Sequence, residues 1–107
     1  MNVYSINDFK NGWFIGDFEP SVLRTSQFEV AFHSYKSGQE WEPHYHKDAI
    51  EISYLAHGTM EINGIVLLSG DVIVIYPMEI SRPKYLSDCE VIIIKAPSLP
   101  RDKYVVE

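Results

Sequence analysis

The chain has 107 residues, 46% of them hydrophobic, and a formal charge of −6. That length fits one globular domain, residues 1–107, able to bury roughly 65% of its unfolded surface, and the apolar share excludes a disordered chain. The acidic balance, with no basic run to replace phosphate counterions, argues against nucleic acid or an anionic membrane as a partner.

In chain order, "INDFK" suggests a short helical turn, "GWFIGDFEPS" a loop and "VLRTSQ" an edge strand. The first confident strand is 28–35, "FEVAFHSY", aromatic and β-branched. A second covers 51–56, "EISYLA", and a third 59–62, "TMEI". Asn63-Gly64 then predicts a two-residue hairpin turn returning through "IVLL" at 65–68. "VIVIY" at 72–76 follows, and "MEISRPKYLSD" reads as polar and irregular. "CEVIIIKA" at 89–96 is the last strand, and "PSLPRDKYVVE" an extended tail. Turns every 6 to 13 residues or so, with no helical periodicity, give the rhythm of an all-β sandwich or barrel.

The single cysteine, Cys89, excludes an intrachain disulfide framework and is read as a small buried hydrophobe in a reducing compartment. The opening "MNVYSINDFKNGWFIGD" lacks a basic start followed by a long apolar run, so no signal peptide is read there. The runs "VIVI" and "VIII" are too short to cross a bilayer. The expectation is a soluble, cytoplasmic protein.

The chemistry is concentrated in "GQEWEPHYHKDAIEISYLAHG", Gly38 to Gly58. His44 and His46 are two apart, so on a strand both imidazoles face one side. Glu51 lies five positions after His46, an odd offset that needs a break, and "KDA" at 47–49 supplies one. Two histidines and a carboxylate then converge as a facial metal site with open positions. Gly38 and Gly58 are read as turn residues at the two ends of the unit. Ser53 shares parity with Glu51 and is a candidate pocket residue, as is Tyr54. Tyr45 alternates to the opposite face, and Trp41 lines the mouth or caps the core. His57 is expected to be exposed.

This stretch resembles the first conserved motif of the cupin superfamily: glycine, five residues, His-x-His, three or four residues, glutamate, six residues, glycine. Gly38, His44, His46, Glu51 and Gly58 occupy all of those positions. The second cupin motif has a proline-x-glycine turn and then a histidine, the fourth metal ligand. Gly70 and Asp71 match its start, but the rest is degenerate. Without a gap, Tyr76, Met78 and Ser81 fall on the proline, glycine and histidine positions. Shifted by one, Pro77 fits the proline but Arg82 falls on the histidine. The resemblance spans about 28–96, with an N-terminal lead-in before it, and implies a small jelly-roll β-barrel with the site inside. It implies a divalent ion on His44, His46 and Glu51, a small-molecule ligand and a homodimer. Arg82 near the site would anchor a carboxylate or phosphate. Glu79 and His33 are conceivable substitutes for the fourth ligand.

Three functions remain open on the sequence. The first is a metal-dependent enzyme on a small molecule: an oxygenase with Fe, or an isomerase or hydrolase with Zn, Mn or Ni. The second is a barrel that binds a sugar or organic acid without turnover. The third is a metal-free carbohydrate-modifying enzyme with His44 or His46 as base and Tyr54 or Tyr76 as acid.

Overall fold

A computed structural model describes residues 1–106. Among the described residues there are ten strands: β1 Trp13–Ile15, β2 Glu29–Tyr35, β3 His44–Tyr45, β4 Ile50–His57, β5 Thr59–Ile62, β6 Ile65–Leu68, β7 Val72–Ile75, β8 Pro83–Tyr85, β9 Cys89–Ala96 and β10 Tyr104–Val105. They form a five-stranded sheet in the order β1-β2-β9-β4-β7, a three-stranded sheet β6-β5-β8 and a two-stranded ribbon β10-β3. All of these strand pairs are antiparallel, so the all-β expectation holds.

Alternation along the large sheet separates its two faces. Register places Glu29, Lys95 and Glu51 in one inward row across β2, β9 and β4. Ala31, Ile93 and Ser53 form the next row, then His33, Val91 and Leu55. The apolar core occupies the far end of this face, where Tyr35, Leu55, Cys89 and Val91 pack on Met60, Ile62, Leu67 and Tyr85 of the small sheet. Burying each large apolar side chain there contributes about 1.5–3 kcal/mol. The opposite end of the same face keeps the charged row.

The Asn63-Gly64 turn joins β5 to β6, with φ of 51° and 81°, as a type I′ hairpin requires. Gly58 is required by space as well as by conformation. A Cβ there would lie 2.4 Å from the Asp88 carbonyl oxygen.

Three sequence expectations need correction. "VLRTSQ" is not a strand; Leu23 makes only an isolated bridge to Ile15. Trp13–Ile15 is strand rather than loop, because it pairs with the edge of β2. Within the segment read as irregular, Pro83–Tyr85 pairs with β5, burying Pro83 and Tyr85 while Lys84 points out. Proline tolerates this place because β8 is an edge strand. The helical turn near "INDFK" is a 3-10 turn, Ile6–Asp8, capped reciprocally by Ser5 and Asp8. The tail pairs through β10 with β3.

Candidate metal centre

His44 lies in β3, His46 follows it, and Glu51 is the second residue of β4. The break at 47–49 turns the chain so that the carboxylate returns to the imidazoles. One ligand atom from each of the three residues lies within 4.8 Å of the others. Donors about 2.1 Å from a shared ion sit roughly 3–3.5 Å apart, so small side-chain adjustments close the site.

Both imidazoles are oriented from behind. His44 Nδ1 lies 3.1 Å from the Glu42 carbonyl oxygen, and His46 Nδ1 contacts the Asp102 carbonyl oxygen. A carbonyl only accepts, so each Nδ1 carries the hydrogen and each Nε2 presents a lone pair, the arrangement of metal-binding histidines. His46 Nε2 then faces Glu51 Oε1 at 3.1 Å. A neutral ring has one N–H, and here both ring nitrogens face acceptors. A cation between Nε2 and Glu51, either a second proton or a metal ion, removes that conflict. The donor set therefore fits a divalent ion.

The electrostatics agree. Burial holds the His44 imidazole below its ordinary pKa, which keeps it neutral and able to ligate. Burial alone would raise the Glu51 carboxyl, but with His46 carrying the second proton its hydrogen bond and charge, and then the charge of Lys95, outweigh it, and the net direction is down. Glu51 Oε2 also accepts the Ser53 hydroxyl at 3.2 Å.

His46 is further fixed through its main chain, whose carbonyl accepts the Met78 N–H at 2.7 Å. Met78 itself has φ of 71°, the left-handed conformation, at the place where the second motif carries glycine. Ser81, three residues on, is buried and exchanges two backbone hydrogen bonds with His44, at 2.7 and 3.1 Å. Of the two candidate positions, Ser81 bridges His44 and lines the cavity, and Arg82 does neither.

The three residues line a cavity of about 860 Å³ between the sheets. His33, Ser53 and Ser81 line it as well. The other candidates do not. Arg82 alternates outward, its N–H donating to Asn63 Oδ1 at 2.8 Å. Glu79 is exposed and accepts the Tyr76 N–H at 2.9 Å, closing its own turn. Tyr54 and Tyr76 are exposed on outer positions, 40% and 58%. None of these four is among the cavity-lining residues. His33 Nδ1 lies 2.6 Å from the Tyr35 hydroxyl, and its buried Nε2 has no hydrogen-bond partner among the described residues.

Asp102 is the site residue that the sequence reading missed. Its carboxylate accepts the N–H groups of Lys47, Asp48 and Ala49 at 3.0, 2.9 and 2.9 Å, which shapes the break between His46 and Glu51. No motif spacing marks it, because it acts through backbone partners more than 50 residues away.

No sequence-family model matches the chain, and no curated protein sequence matches it. Solved structures do match in fold. A double-stranded β-helix protein from Klebsiella pneumoniae superposes with a TM-score of 0.71 at 21% identity, over 98% of this chain and 91% of that one. KdgF from Halomonas sp. gives 0.65 at 23% identity, over 71% and 74%. The DMSP lyase DddQ from Ruegeria pomeroyi gives 0.73 at 14% identity, over 88% of this chain and 49% of that one. The chain has the double-stranded β-helix fold of these structures. No helix among the described residues is long and apolar enough to cross a membrane.

Proposed function

We propose that the chain is a divalent-metal-dependent enzyme acting on a small molecule inside the cavity, with His44, His46 and Glu51 as the protein ligands. The observation that carries this reading is the orientation of the two imidazoles. Backbone carbonyls hold both Nδ1 atoms, leaving both Nε2 atoms free to ligate, and the ligand atoms of the two histidines and the half-buried Glu51 lie within 4.8 Å of one another on the wall of a roomy cavity. Such pre-orientation is the habit of metal-ligating histidines.

A divalent ion there, Fe, Zn, Mn or Ni, would supply Lewis acidity or, for iron, oxygen chemistry. The chain's own part is to hold, orient and exclude. Ser53 steadies Glu51, Asp102 holds the loop between the ligands, and the core end of the barrel closes the cavity behind the substrate. Ser81 leaves the fourth protein position without a strong ligand, which gives a substrate oxygen room to approach. The neighbours include a protein named DMSP lyase and one named salicylate 1,2-dioxygenase, so the fold hosts enzymes in other chains.

The test is to load the protein with each ion in turn and screen small organic acids and sugars, reading products by mass spectrometry. Turnover that a chelator and His46→Ala both abolish supports the proposal. Turnover indifferent to the chelator overturns it in favour of a metal-free enzyme. Tight binding without turnover overturns it in favour of a binding module.

We also infer a homodimer. The outer face of the large sheet carries Val30, Ile94, Ile52 and Val74 in one row and Ile92, Tyr54 and Val72 in the next. Val72, Val74 and Tyr54 are exposed. The rows carry no charge in a chain of formal charge −6, so two copies meet there without like-charge repulsion.

A further inference from the structure

The cavity holds a second fixed charge that the metal ligands do not use. Lys95 stands between Glu29 and Glu51 in the inward row of three neighbouring strands. The residue is buried, with Nζ 3.3 Å from Glu29 Oε1 and 4.7 Å from the Trp13 ring centroid. Glu29 is held in turn: its Oε2 accepts the Ser98 hydroxyl at 3.1 Å, and that hydroxyl oxygen accepts the Asp17 N–H at 2.9 Å. A buried ammonium is costly even when paired. This one lies on the wall of the same cavity as His44, His46 and Glu51 rather than in the sealed apolar end. An ammonium has three donors, and Glu29 engages one side of it.

The charge of the lining points the same way. Lys10, Lys95 and Lys103 are matched by Glu19, Glu29 and Glu51. Lys10, Glu19 and Lys103 are exposed, so the inner charges are Lys95 against Glu29 and Glu51, and a divalent ion would leave one positive charge in excess, inside a chain whose formal charge is −6. A concave site of that sign draws in small anions. No arginine is among the described lining residues, and the single positive charge of one ammonium balances a carboxylate rather than the nearly double charge of a phosphate monoester. Met60, Val91 and Ile93 make the adjoining wall apolar.

We propose that Lys95 anchors the carboxylate of a small, short-chained organic acid whose other end reaches the ion at His44, His46 and Glu51. This rests on the metal reading above. It makes Lys95 the residue that selects acids over their neutral analogues.

The test is calorimetric titration of the zinc-loaded protein with malonate, succinate and glutarate against their monoamides, with zinc content counted in every sample. Lys95→Met alone leaves Glu29 as a buried unpaired carboxylate, so the double variant Lys95→Met/Glu29→Gln runs beside it, checked by circular dichroism. The expected result is that at least one diacid binds the wild type about tenfold or more tightly than its monoamide. That preference should vanish in the double variant at unchanged zinc content. No preference in the fully loaded wild type overturns the proposal, and so does a preference that survives in the folded double variant. Butyrate against butyramide on the metal-free protein separates the two readings. If no zinc binds but Lys95 still selects butyrate, the anchor stands and the metal reading falls; if neither occurs, both fall.

Discussion

The Asp102 carbonyl oxygen accepts the Nδ1–H of His46, while the Asp102 carboxylate takes three N–H groups from the loop that leads to Glu51. One residue thus sets both the ring of one ligand and the path to another. Those three hydrogen bonds also hold its carboxyl below the ordinary range against the opposing effect of burial. Asp102→Ala should cost about 2–4 kcal/mol by leaving several backbone donors unmet. It should also weaken metal binding by about 10–100-fold, the usual scale for an orienting partner. Asp102→Asn keeps one acceptor oxygen and should cost less on both counts. Urea unfolding and competition with a coloured chelator measure the two effects.

Ser81 faces His44 across a two-hydrogen-bond bridge, whereas Arg82 points away. Ser81→His should therefore add a fourth ligand and raise metal affinity by at least about tenfold. Arg82→His should leave it unchanged. The reverse pattern would mean that the motif runs in the shifted register.

Met78 has φ of 71° and is 58% exposed. A non-glycine residue in that conformation costs about 1–2 kcal/mol, of which the extra chain entropy of glycine returns about 0.5–1. Met78→Gly should stabilise the protein by about 0.5–1 kcal/mol, read from the urea midpoint. Destabilisation would mean that the Met78 side chain contributes packing not evident in its exposure.

The strands were largely legible in the sequence, and the reasons are physical. Every element with a buried apolar face and a clear turn was read within a residue or two, as with 28–35 against Glu29–Tyr35 and 89–96 against Cys89–Ala96. The missed strands are two or three residues long, sit at sheet edges or in the ribbon, and owe their form to their partners. Pro83–Tyr85 carries a proline and a lysine, which read as irregular until β5 lies beside it. The His-x-His spacing brought His44, His46 and Glu51 together as expected. The register of the second motif was not legible, because neither alignment of it supplies both the glycine and the histidine. Asp102 was invisible because a residue that binds backbone leaves no complementary side-chain signal.

Tyr35 should report the state of the core at high pH. Burial pushes its phenol up to about 12, and Tyr85, stacked on it at 4.0 Å, moves in the same direction. A raised pKa means that the folded state holds the proton more tightly. The associated stability is complete below the unfolded value near 10 and is lost as pH climbs through about 12. Absorbance titration at the phenolate band should show two tyrosines ionising late and together with unfolding. Their ionisation near pH 10 in the folded protein would contradict the buried pair.

If the outer sheet face joins two copies, Val72→Lys/Val74→Lys should yield a folded monomer from a wild-type dimer in light scattering. A monomeric wild type at micromolar concentration would remove that interface from the account.

The most direct measurement is metal content by mass spectrometry of untagged protein, one preparation kept free of oxygen, with His44→Ala/His46→Ala alongside. About one equivalent per chain, absent from the double variant, is the predicted result. Less than about a tenth of an equivalent after reconstitution with Fe(II), Zn, Mn and Ni would contradict the claim that His44, His46 and Glu51 form a metal centre.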